Sequence, residues 1–162
     1  MNILTVNLIL NTFILYIAAK IYLLPRLHEI RPQTVLLPIL LLHSSRHLGL
    51  MFLAPGATYA GIPQQFAEPA AYGDLIAAIL ALLSIPVVIS GHWSANLLVW
   101  AFNVEGTLDL ILATALATMH GASSHMGPAY WIPAVWVPAL LVTHYITFLL
   151  LMGPWTRAQH PH

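Results

Sequence analysis

Ionisable side chains stand inside apolar stretches of this 162-residue chain, and their types and spacing define the chemistry open to it. The run HSSRH carries His43, Arg46 and His47, which at about 100° per residue share one arc of an α-helix about 100° wide. Glu105 and Asp109 stand four apart in AFNVEGTLDL, on one face, with Gly106 beside them to allow close approach. His144 follows in a later apolar stretch, with Thr147 one turn on. Charges in such segments cost free energy and face a bundle interior or a water-filled cavity. Their placement is therefore the main functional signal.

Three chemistries use these residue types. The first is binding of a metal, haem or small ligand. Imidazole and carboxylate together suit Fe, Zn or Mn, and two His with one carboxylate make an open non-haem iron set. His43, Glu105 and His144 fit that set, with His47, His120 and His125 as further ligands. His43 and His144 would be the axial pair if the group were haem. The HxxxH spacing of His43 to His47 and the HxxxxH spacing of His120 to His125 resemble the histidine boxes of membrane desaturases and hydroxylases. That family has further paired-His boxes, longer chains and boxes facing the cytoplasm, so the resemblance implies no shared activity. The second chemistry is proton or small-cation handling, with Glu105, Asp109 and Arg46 as the acid–base or catalytic groups and histidine as relay. In the third, Arg46 pairs with Glu105 or Asp109 and the network only fixes helix packing in a structural subunit. Ser44, Ser45, Ser123 and Ser124 flank histidines without a nucleophile elbow or a triad.

The elements that must position these groups are transmembrane. Only 6% of residues are charged and 59% are apolar, with mean hydropathy +0.82, whereas a soluble domain carries about a quarter charged residues. Zero net charge without a basic face excludes nucleic acid as a partner, and the absence of cysteine excludes disulfides and thiolate sites. A span needs roughly 20 apolar residues, and five stretches qualify, at about 2–24, 34–53, 74–91, 95–118 and 131–152. The expected fold is therefore all-α, a single domain over 1–162 forming an integral membrane bundle of five transmembrane helices. Residues 1–19 lack a basic n-region and read as a retained helix, not a signal peptide.

Lys20, Arg26 and Arg31 flank the first connection and Arg157 follows the fifth span. The positive-inside rule then puts the N-terminus outside and the C-terminus in the cytoplasm, in a bacterial inner membrane. Trp93 and Trp155 fall at inner borders, and Tyr59, Tyr72, Tyr130 and Trp131 at outer ones. At 1.5 Å per residue, His43, Glu105 and His144 lie near the midplane. Arg46, His47 and Asp109 lie one layer outward, and Asp74, His120 and His125 around the outer mouth. The second, fourth and fifth helices would then enclose an outward-opening polar shaft, which Pro38 widens if it kinks the second helix. The connection from Ala54 to Gly73 is either an ordered cap or a mobile loop. Asn96, Asn103, Thr107 and Thr114 mark a second polar face that contacts another helix. His28, Glu29, His160 and His162 read as solvated. The expected partners are the bilayer, a small polar or amphipathic ligand, and a second copy or other membrane subunits.

Overall fold

The computed structural model describes residues 3–153. Among them there is no strand, and five helical segments are long and apolar enough to cross a membrane. They expose Ile14, Leu83, Leu97 and Ile111 and many other large apolar side chains, which suits lipid and not water. This is the architecture of a membrane protein. Trp155, Arg157, His160 and His162, used above for a border, for orientation and as solvated tail residues, lie outside the described residues.

The first helix, α1 (Ile3–Tyr22), ends beside Lys20 and passes through a short turn, Leu24–Arg26, into the charged connection. It lies on the outside of the bundle, packed on the last helix. The second, α2 (Pro32–Ser44), starts on a proline, whose missing N–H costs nothing in a first turn. It then tightens into a 3-10 helix over Ser45–Leu53. Ser44 and Ser45 mark the change: their hydroxyls donate to Leu40 O (2.8 Å) and Leu42 O (2.6 Å), competing for the local backbone carbonyls. With three residues per turn, Arg46, Gly49 and Phe52 stack on one line, and all three are buried.

The third helix, α3 (Gln64–Ile89), begins ten residues before the expected Asp74 start. Pro69 lies inside it, in the second turn, where it offers no N–H to Gln65 O, and the buried stripe through Ala67, Ala70, Ala71, Asp74, Ala77 and Ala81 lets neighbours approach closely. The fourth, α4, runs Ala95–Met119. The last span starts irregularly, with a 3-10 turn at Gly127–Tyr130 and a π turn at Ile132–Trp136, before α5 (Val137–Met152). Pro138 has no N–H to offer Ala134 O four residues back. Asn11 of α1 takes its place, donating to that carbonyl at 2.7 Å, and Asn7 donates to Tyr130 Oη at 3.2 Å. Asn11 thereby meets a carbonyl that the proline cannot, and together the two polar residues dock α1 on the start of the last span.

Of the expected Ala54 to Gly73 connection only 54–63 lies outside a helix, and it is an ordered cap. Tyr59 N–H donates to His125 O and Ala129 N–H to Ala57 O, both at 2.9 Å, tying it to the α4–α5 connection. Gly127, at φ 49°, lies directly under Tyr59. Two apolar cores result. One, around Leu40, Phe102 and Ile146, fills the end of the bundle holding the α1–α2 connection, and the other, around Phe52, Phe66 and Met126, lies under the cap. The buried polar residues sit between them.

Candidate functional site

Arg46 is the hub of that polar layer. Its side chain has no exposed surface, and each part of the guanidinium has an assigned partner. Nε donates to Asp74 Oδ1 of α3 at 2.7 Å, and one terminal nitrogen to Asp109 Oδ2 of α4 at 2.6 Å. The other, Nη1, donates to Gly106 O and faces His144 Nε2, each at 3.2 Å. The planar fork of an arginine can serve such divergent acceptors, where a lysine ammonium could not.

Three glycines make room for it. A Cβ at Gly106 would stand 2.6 Å from Arg46 Nη1, and one at Gly49 or Gly73 would overlap the carboxylate of Asp74 or Asp109 respectively. Each glycine sits on a different element, so the 3-10 segment, α3 and α4 all close on the ion network through a residue without a side chain.

The histidine pair lies next to the hub. His43 and His144 lie with ring centroids 4.3 Å apart and planes tilted by 59°, and Phe102 packs edge-on to His43 at 4.9 Å. Asn103 fixes His144, its Oδ1 lying 2.7 Å from Nδ1 while its Nδ2 donates to His144 O. His43 Nε2 meets Thr143 Oγ1 at 2.9 Å. Because that hydroxyl already donates to Ala139 O, the ring nitrogen is the donor and Nδ1 is left without a partner. Both nitrogens of His144 are engaged, and the two rings lie tilted against each other instead of pointing at a shared centre.

The remaining expected site residues fall elsewhere. Glu105 is half-buried on the flank of α4, with Oε2 buried and unpartnered, and among the described residues no hydrogen bond joins it to Arg46, His43 or His144. His47 is exposed, its ring bonded only to Ser44 O, because 3-10 winding brings Arg46 into line with His43 and carries His47 about 120° away from both, where α winding would leave it about 40° from His43. His120 is exposed at the end of α4, and His125 lies in the α4–α5 connection, its Nδ1 near Ser124 Oγ. Among the described residues no three His, Asp or Glu side chains come together as a metal-binding group. Asp74, expected at the outer mouth, is instead a direct partner of Arg46, so the third helix joins the second, fourth and fifth in the site.

The profile of the family described as Domain of unknown function (DUF8737) matches residues 3–152. The chain belongs to this family. No curated protein and no solved structure matches it. The matched region holds all of the polar layer, so the DUF8737 domain and the ion network are one unit.

Above the network, toward the cap, the DUF8737 domain encloses a cavity of about 250 Å³. Phe52, Phe66, Leu110, Met126 and Ile132 give it apolar walls, Thr114 and Ser123 add hydroxyls, and Asp74 and Asp109 form its inner end. Each aspartate gives one oxygen to Arg46, and the other, Asp74 Oδ2 or Asp109 Oδ1, lies against Gly49 or Gly73 respectively. Sequence reasoning placed Asp74 at the mouth and Asn103 on a face that contacts another helix, without reading their pairing with Arg46 and His144, and it did not single out Thr143. The alanine stripe that runs through Asp74 is the signal for its burial.

Proposed function

We propose that this protein binds a small amphipathic ligand in the membrane, through a hydrogen-bond-donating or cationic head held by Asp74 and Asp109. The observation that carries the reading is the cavity itself, apolar on its walls and ending on two carboxylates that share a single guanidinium. One arginine cannot cancel two carboxylates, so the site calls for a proton, an ammonium or a hydroxyl at its inner end. A purely structural ion pair would need no adjoining space.

The orientation of this reading follows charge. Lys20, Arg26 and Arg31 cluster at the end of the bundle opposite the cap, which the positive-inside rule assigns to the cytoplasm of a bacterial inner membrane. The N-terminus, the cap and the cavity then lie on the outer side.

The test uses purified protein in lipid nanodiscs, with decylamine as the probe and decanoate as its anionic counterpart. At about 100 times its dissociation constant a ligand adds about 2.7 kcal/mol of stability. Decylamine should raise the melting temperature and decanoate should not, and Asp109→Asn should remove the effect. Metal analysis and an optical spectrum on the same sample probe the alternative. A stoichiometric metal or a Soret band lost in His43→Ala, with no response to decylamine, would replace the proposed ligand by a metal or haem.

A further inference from the structure

The cavity ends inward on its charged layer and outward on Gly121, Ser123 and buried Met126 of the α4–α5 connection, so its side wall decides how anything reaches it. The 54–63 cap is bonded through backbone to the α4–α5 connection, and Arg46 with its partners plugs the opposite end. Around the sides, α3, the 3-10 segment and the start of the last span contribute buried Phe66, Ala70, Phe52 and Ile132. The contribution of α1 and of the outer half of α4 is different. Thr5 and Thr118 line the cavity and are themselves exposed, while Leu8, Ala113, Thr114 and Ala117 between them are only half-buried. The packing of α1 is on α5 and its irregular start, which leaves its edge toward α4 unfilled.

We infer that the cavity opens sideways between α1 and α4, and that it takes the head of a single-chain amphiphile from the bilayer while the tail stays in the lipid. This inference rests on the ligand reading given above and extends it to a route and a shape. Volume supports the shape. At about 250 Å³ the cavity falls just below the roughly 300–1,000 Å³ of sites that enclose a drug-sized molecule, so it holds a head and a short apolar segment but not a whole lipid. The side opening removes the need to enclose the rest. Charge complementarity selects the head: Asp74 and Asp109 line the inner end and share one guanidinium, so an ammonium or a hydrogen-bond-donating hydroxyl fits there and a phosphate or carboxylate is repelled. The hydroxyls of Thr5 and Thr118 give the rim two groups that tolerate the passage of a polar head through an apolar wall.

Two measurements on separate samples test route and occupant independently. The chain has no cysteine, so single cysteines at Thr5, Thr118 and, as a cap reference, Tyr59 can each carry a nitroxide in nanodiscs. Collision with oxygen, which concentrates in lipid, should exceed collision with a water-soluble nickel chelate at Thr5 and Thr118, and the order should reverse at Tyr59. Nickel access at Thr5 and Thr118 equal to that at Tyr59 would overturn lateral access, whatever decylamine does. For the occupant, decylamine and decanol separate the two head chemistries in unlabelled protein. Stabilisation by either, lost in Asp109→Asn and retained in Asp109→Glu, supports the head assignment. Stabilisation by neither, with the rim lipid-facing, would overturn the ligand reading while leaving the side opening in place.

Discussion

Replacing Arg46 by leucine tests the centre of the structure. The change deletes the donors to Asp74, Asp109 and Gly106 O and leaves two carboxyl side chains, 11% and 7% exposed, without their cation. Removing one partner of a buried ion pair costs about 3–5 kcal/mol, because the group left behind keeps its desolvation penalty. Most of that penalty sits on the aspartates, so adding Asp74→Asn or Asp109→Asn to Arg46→Leu should return part of it. Coupling between contacting residues runs to about 0.5–3 kcal/mol. Glu105→Gln makes no direct bond to lose and should couple weakly. Helical circular dichroism during denaturant unfolding in mixed micelles gives all the free energies needed for the three cycles. A cost for Arg46→Leu below about 1 kcal/mol, far under that of a broken buried pair, would refute the hub. So would coupling to Glu105 as strong as to Asp109.

Gly106→Ala forces a methyl group against Arg46 Nη1 and His144, and overpacking of this kind costs about 1–3 kcal/mol, readable in the same unfolding assay. Asn103→Ala leaves a buried His144 nitrogen without its 2.7 Å partner, a loss of about 1–3 kcal/mol, and unchanged stability would show that Asn103 does not brace the ring. Asn11→Leu orphans Ala134 O, so α1 should become more open to protease or hydrogen exchange while the Arg46 network stays intact. A cysteine at exposed Tyr59 should react with an impermeant thiol reagent added outside, and one at exposed His28 should not. The reverse pattern would invert the orientation.

Hydropathy made the five spans legible because each lipid-crossing segment must be apolar over a fixed length, and the constant rise of an α-helix placed His43 level with His144. The same regularity misled at two points. Gln64, Gln65, Glu68 and Pro69 read as a connection, yet Pro69 falls early in α3 and the alanine stripe continues through it, so Asp74 moves from the mouth into the network. His47 was placed with Arg46 by α-helical geometry, which the serines at 44 and 45 replace with tighter winding. The exclusion of Glu105 from the network had no signature in the chain. It shares a face with Asp109 in sequence, and only the position of Arg46 over Gly106 decides which carboxylate is met.

The 3-10 segment has a mechanical consequence. Its nine residues rise about 2.0 Å each, where α-winding would give about 1.5 Å, so it is a strut about 4.5 Å longer than the same residues wound as α-helix. Relaxing it to α would also swivel Phe52 by about 120° relative to Arg46, at about 20° for each of the six steps between them. Phe52 belongs to the cavity wall and Arg46 to the ion network, so neither can shift along this helix without torque on the other. The strut thereby sets the spacing between the lining of the cavity and its charged end, and ties the shape of one to the integrity of the other.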